Sequence, residues 1–257
     1  MDMKKGIKSF VLVLFVFFGL FAIADTAPNA TFDKAYKLYL ANEYEEANEL
    51  FLSLVEQNYV SHALYYNLAS SYFKMEEYAN AMLWFERAKR IKPHDENTIF
   101  NINVTKYKLE DKIEAVPELF FIRWFKSFVN LLSERYWAYL SLAFFFLVFV
   151  FTAFFLITPN FTFRKYSFYF ALIFLLFFMS STVAAFFQKA YQTRTDEAIV
   201  MSEQVEVKSS PDSTSSDLFI IHQGIKVKLL DQIGDWVEVK IPNGDKGWMK
   251  KTNLEVI

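Results

Sequence analysis

The chain has 257 residues and an uneven composition: 54% of it is hydrophobic, and most of its 31 Phe fall in three apolar runs. Its net charge of −2, with no basic stripe or patch, removes the general electrostatic basis for nucleic-acid binding. The absence of cysteine excludes disulfides, thiolate metal ligands and a thiol nucleophile. In chain order, residues 1–24 read as a secretory signal peptide. Lys4, Lys5 and Lys8 precede an apolar run from Phe10 to Ile23, and the small residues Ala22 and Ala24 stand at the −3 and −1 positions of a cut after Ala24. An uncleaved anchor helix is the alternative, and either reading sends the chain after Asp25 across a membrane.

Residues 25–116 carry an internal repeat. Ala41–Phe51 matches Met75–Phe85 at an offset of 34 residues, pairing Tyr44 with Tyr78, Ala47 with Ala81 and Phe51 with Phe85. That offset is the tetratricopeptide period. With Pro93 at the repeat's proline position, the second unit runs from His62 to Asp95 and places Tyr65, Leu68, Ala69, Tyr72, Ala81, Phe85 and Ala88 at pattern positions. The first unit, about Pro28 to Ser61, is degraded, and Glu96–Leu109 reads as a solvating cap helix. First helices line the groove of such an array, so Phe32, Tyr36, Tyr66, Ser70, Phe73 and Lys74 are candidate protein-binding residues. Asn67 and Asn101 hold the same position in successive units, where asparagine can hydrogen-bond an extended peptide or serve the helices alone. The groove is aromatic and neutral, which suits an apolar peptide or helix of a partner protein.

Residues 117–135 form a predicted amphipathic helix, with Phe121, Trp124, Phe125, Phe128, Leu131 and Leu132 on one side and Arg123 and Lys126 off it. Such a helix suits the headgroup region of a lipid bilayer, or it caps the repeat module. Two uncharged apolar runs follow within 136–187, Tyr136–Ile157 and Phe168–Phe187, each long enough to span a bilayer. The loop 158–167 between them holds Pro159, Arg164 and Lys165, and positive charge favours the cytoplasmic side. Arg135, Lys189 and Arg194 at the opposite ends blunt that bias. The expected topology therefore rests on the signal peptide: bacterial inner membrane, with both soluble modules periplasmic.

Residues 188–197 read as a polar linker and 198–257 as five short strands making a small all-β barrel. Val237, Val239 and Ile241 alternate onto one face, and Asn243-Gly244 is a hairpin turn signal. Gly234, Trp236, Val239, Gly244, Gly247 and Trp248 resemble the bacterial SH3 domain pattern. That resemblance implies binding of cell-wall peptides or proteins, with Trp236 and Trp248 as possible ligand contacts or as core residues. A basic or aromatic barrel groove would favour a wall ligand, and a closed apolar one a protein scaffold.

The fold class expected is thus a multidomain membrane protein: all-α tetratricopeptide repeats, a transmembrane helical hairpin and an SH3-like barrel. This order, and the junction Lys108–Trp124, resemble the BatE-type proteins of the Bacteroides aerotolerance operon. The resemblance implies a place beside von Willebrand A-type and other membrane proteins of the same operon. No nucleotide-binding, metalloprotease or nucleophile-elbow motif occurs, and the three histidines are scattered over different elements. No catalytic residue, metal or cofactor is expected. The expected function is a membrane-anchored scaffold, with a peptidoglycan-binding sensor as the alternative.

Overall fold

The computed structural model describes residues 30–114, 116–193 and 195–257, so the signal peptide expected over 1–24 lies outside the described residues. Five helices come first: α1 (Ala30–Leu40), α2 (Tyr44–Glu56), α3 (His62–Lys74), α4 (Tyr78–Ile91) and α5 (Glu96–Lys108). The 34-residue offset recurs in their backbone geometry. Asn42 and Glu76 both adopt positive φ, 66° and 64°. After each first helix the same closing bond forms, Glu43 N–H to Leu38 O and Glu77 N–H to Tyr72 O, both 3.0 Å. These bonds satisfy carbonyls left open at a helix end. The next helix starts match too: the Ser61 side chain accepts from the Leu64 N–H at 3.1 Å, and Asp95 accepts from the Thr98 N–H at 2.8 Å. Ala35, Ala47, Ala69 and Ala81 are fully buried, which lets adjacent helices approach, while Phe51 and Phe85 fill the space between them.

Residues 109–114 and 116–119 belong to no helix or strand and lie between α5 and α6 (Phe120–Val129). Then come α7 (Glu134–Ile157) and α8 (Phe161–Gln192), both long and apolar enough to cross a membrane. They form an antiparallel hairpin packed by aromatic rings, with Phe144 against Phe177 and Phe151 against Phe170 and Phe174 at centroid distances of 5.3–5.4 Å. Ser141 and Thr182 share a hydrogen bond of 2.7 Å between the two helices.

Two sequence expectations change here. The loop expected over 158–167 shrinks to 158–160. The Asn160 side chain caps the Thr162 N–H at 2.9 Å, so the helix starts at once and carries Arg164 and Lys165 on its first turns. The first half of the linker expected over 188–197, residues 188–192, is helical, because no Gly or Pro interrupts α8 before Thr193. Gln188 is fully buried.

The C-terminal module has seven strands rather than five: β1 (Glu197–Val200), β2 (Gln204–Lys208), β3 (Asp217–His222), β4 (Lys226–Ile233), β5 (Trp236–Lys240), β6 (Lys246–Lys250) and β7 (Leu254–Val256). They form one antiparallel sheet in the order β3-β2-β6-β5-β4-β1-β7. The short β1 and β7 pair with each other, and β1 also pairs with β4. Ala198, Ile199, Val207, Val227, Val239 and Met249 form its interior.

The barrel and the repeat helices share one continuous apolar core. α4 touches the barrel directly, at β1.

Candidate binding surfaces

Three surfaces carry functional groups. The first is the face of the repeat module built from α1, α3 and α5. Phe32 and Tyr36 stack at 6.5 Å, and Tyr36 is 42% exposed. Tyr66 lies between His62 and Phe85, with ring centroids at 5.9 and 5.7 Å. Its hydroxyl accepts from the Asn101 side chain at 2.8 Å, joining α3 to α5. Asn67 donates to the Ala63 carbonyl at 2.8 Å, and the buried Ser70 hydroxyl donates to the Tyr66 carbonyl at 2.8 Å. These three polar residues therefore have partners within the module. Phe73 meets Tyr78 at the hairpin turn, and Lys74 is exposed at the end of α3. Tyr39, which the sequence reading passed over, bridges α1 and α3: its neighbours are Tyr44, Tyr66, Tyr36 and Ser70, and burial pushes its phenol up.

The second surface is the outer face of the barrel. Along β5 and β6, Val237, Val239, Gly247 and Met249 point inward, so strand alternation turns Trp236, Glu238, Trp248 and Lys250 outward. Trp236 stands opposite Lys250, and Glu238 opposite Trp248. Both tryptophans are half-buried and belong to the face rather than the core. Lys208 of β2 pairs in register with Trp248. An open cleft of about 440 Å³ lies over this face, lined by Gln204, Val205, Glu206, Lys208, Ser213, Trp236, Lys250 and Asn253. Trp248 is outside that lining. The Lys208 ammonium is hydrogen-bonded by Asp217 and Glu206, which raises it above the usual lysine range and fixes it as a cation. Gly247 is required where β6 crosses β2: a Cβ there would meet the Val207 side chain and lie 2.9 Å from the Lys208 carbonyl oxygen.

The third surface is the junction between the modules. Lys226 of β4 reaches Glu86 of α4 at 3.0 Å and Glu197 of β1 at 2.8 Å. Glu86 is almost fully buried. Burial pushes its carboxyl up, but Lys226, with help from Lys89, outweighs burial and holds it below the usual carboxylate range. Burial pushes Lys226 down, and the two carboxylates more than reverse this. Arg87 lies over the Trp84 ring at 4.5 Å and donates to Glu255 at 2.9 Å and to the Val256 carbonyl at 2.6 Å.

On the other flank, the His222 backbone N–H donates to Asp111 at 2.7 Å, and its ring lies 3.0 Å from Asp111 and 3.3 Å from Glu110. The Asp111 hydrogen bond raises the imidazole above its ordinary value. The Val116 N–H donates to the Pro242 carbonyl at 3.1 Å. None of the eight predicted groove residues takes part in these polar contacts. Among the described residues, no group of three or more His, Asp or Glu is placed to hold a metal ion.

Comparison with known proteins bears on the second surface. Residues 203–255 match the bacterial SH3 domain family. The C-terminal region is also similar to a Bacillus subtilis (strain 168) protein, YrvJ, which bears the provisional name of an N-acetylmuramoyl-L-alanine amidase. The two are 27% identical over 81 residues, which is 32% of this chain. The chain covers 15% of that relative's length, so the likeness is one of a module.

Proposed function

We propose that the protein is a non-enzymatic, membrane-anchored adaptor that joins cell-wall material to envelope proteins from the periplasmic side of the inner membrane. The observation that carries this reading is the open barrel cleft, with Trp236 beside the lysine side chains Lys208 and Lys250. A half-exposed indole offers an apolar platform for a sugar or peptide face, and the Lys250 ammonium suits a carboxylate of a peptidoglycan stem peptide, while Lys208 is held by Glu206 and Asp217. The bacterial SH3 match and the likeness to a protein named for a wall amidase support a wall ligand.

The helical module adds a second site. We read it as tetratricopeptide repeats, supported by the 34-residue recurrence of its alanines, phenylalanines, caps and turns. Its aromatic face, with the polar atoms of Asn67, Ser70 and Asn101 already engaged within the module, favours an apolar segment of a partner. In the BatE reading, that partner is a membrane protein of the same operon, such as a von Willebrand A-type protein.

The test uses full-length protein in nanodiscs, titrated with purified muropeptides. Saturable binding that Trp236→Ala abolishes and Tyr66→Ala leaves intact supports the wall reading. Wild-type protein that binds no muropeptide, yet crosslinks a fixed set of membrane proteins in cells through Tyr66, leaves a protein-only scaffold in its place.

A further inference from the structure

We infer that α6 is a lipid-binding element: its aromatic side inserts into the interfacial layer of the bilayer beside the α7–α8 hairpin. At about 100° per residue, the apolar side chains of α6 cover a wide arc, and the protein covers only part of it. Val129, Phe125 and Ile122 occupy one sector. Val129 is buried, and Phe125 meets Phe187 of α8 edge to face at 5.2 Å. The Trp137 indole N–H of α7 donates to the Val129 carbonyl at 2.7 Å. The neighbouring sector carries Phe120, Trp124 and Phe121, which are 76%, 72% and 53% exposed. A contiguous exposed apolar surface of this kind marks an interaction site.

The position of α6 identifies its occupant. Phe187 is the last residue of the uncharged stretch Phe168–Phe187, whose 20 or so residues match the hydrocarbon thickness. The helix seated on it therefore lies where the hairpin leaves the bilayer. α8 continues only to Gln192, a rise of about 7–8 Å, so the soluble body stands directly over the headgroups. Tryptophan and phenylalanine at that depth gain from burial in the interfacial layer.

Charge contributes little. Lys126 is already paired with Glu118 at 2.5 Å, which leaves Arg123 as the other cation of α6, so insertion depends mainly on the aromatic side chains, with at most a small increment from anionic lipid.

The chain has no native cysteine, which makes single nitroxide labels direct. Phe121→Cys, Trp124→Cys, Arg123→Cys and Lys126→Cys variants of the full chain are labelled in phosphatidylcholine nanodiscs. Collision rates with oxygen and with a water-soluble nickel chelate are then measured. Labels at 121 and 124 should give an oxygen-to-nickel ratio several-fold above those at 123 and 126, with little change on adding phosphatidylglycerol. Equal nickel access at all four sites would place the helix in water and overturn the inference. So would low access to both reagents at 121 and 124, which would mean that protein, including a second copy of this chain, covers the face. A ratio that rises only with phosphatidylglycerol would overturn the charge-independent mode.

Discussion

Replacing Lys226 by Met tests whether the two modules form one body. Lys226 stands 3.0 Å from Glu86 and 2.8 Å from Glu197, with the Glu86 side chain 4% exposed. At an effective dielectric constant near 20, each contact is worth about 5–6 kcal/mol of Coulomb attraction, set against several kcal/mol of desolvation per ion. The net value of such an arrangement is small, but deleting Lys226 takes the nearest cation from the buried Glu86 carboxylate, while Glu197 keeps Arg90 at 3.5 Å. That costs about 3–5 kcal/mol. The control is Glu255→Gln at the Arg87 contact, where the carboxylate is 54% exposed and the expected loss is about 1 kcal/mol or less.

Equilibrium denaturation of the full chain in mild micelles, followed by tryptophan fluorescence, measures both. Without Lys226, burial pushes the Glu86 carboxyl up, so lowering the pH should restore part of the loss as that group takes a proton. Adding Glu86→Gln to Lys226→Met should recover stability as well. A Lys226→Met variant no less stable than Glu255→Gln would refute the reasoning, and the Glu86 contact would then count as surface decoration.

His222 gives a pH-dependent prediction. Its pKa is raised in the folded state, so its contribution is complete below the ordinary value of 6.5 and is lost as pH rises through the folded value. Hydrogen exchange at residues 109–116, corrected for intrinsic rates, should therefore lose protection above 6.5, and His222→Gln should flatten that dependence. Phe85 is 1% exposed and packed against Tyr66. Phe85→Ala should cost about 3–5 kcal/mol in the same denaturation assay, whereas Lys74→Ala at the end of α3 should stay within about 0.5 kcal/mol.

The parts legible in the sequence are those with a local period. Alanines and phenylalanines spaced by 34 residues announced the helical pairs, because close helix approach needs small residues at fixed places. Strand alternation around Val237 and Val239 announced the barrel. Alternation also puts Trp236 and Trp248 on the opposite side from those valines, although large apolar residues alone left core and surface readings open. The strands β1 and β7 were missed because four and three residues are too few to show a period. The ends of α8 were misplaced because Arg164, Lys165 and Gln188 look like loop residues, and a helix boundary is set by breakers and caps. The junction left no trace in the sequence. Glu86 and Lys226 are 140 residues apart, and each reads locally as an ordinary charged side chain.

That junction gives the chain an unusual order of assembly. Residues 117–196, carrying α6, α7 and α8, interrupt a single folded body whose two parts meet through Glu86, Arg87 and Asp111 on one side and Lys226, Glu255 and His222 on the other. The repeat half is synthesised first and carries an unfinished charged flank until the barrel half follows it. Correct threading of the hairpin is thus a precondition for closing the soluble body. In the proposed membrane topology, a chain whose hairpin inserts with one crossing instead of two would strand the halves in different compartments and expose an incomplete edge to quality control.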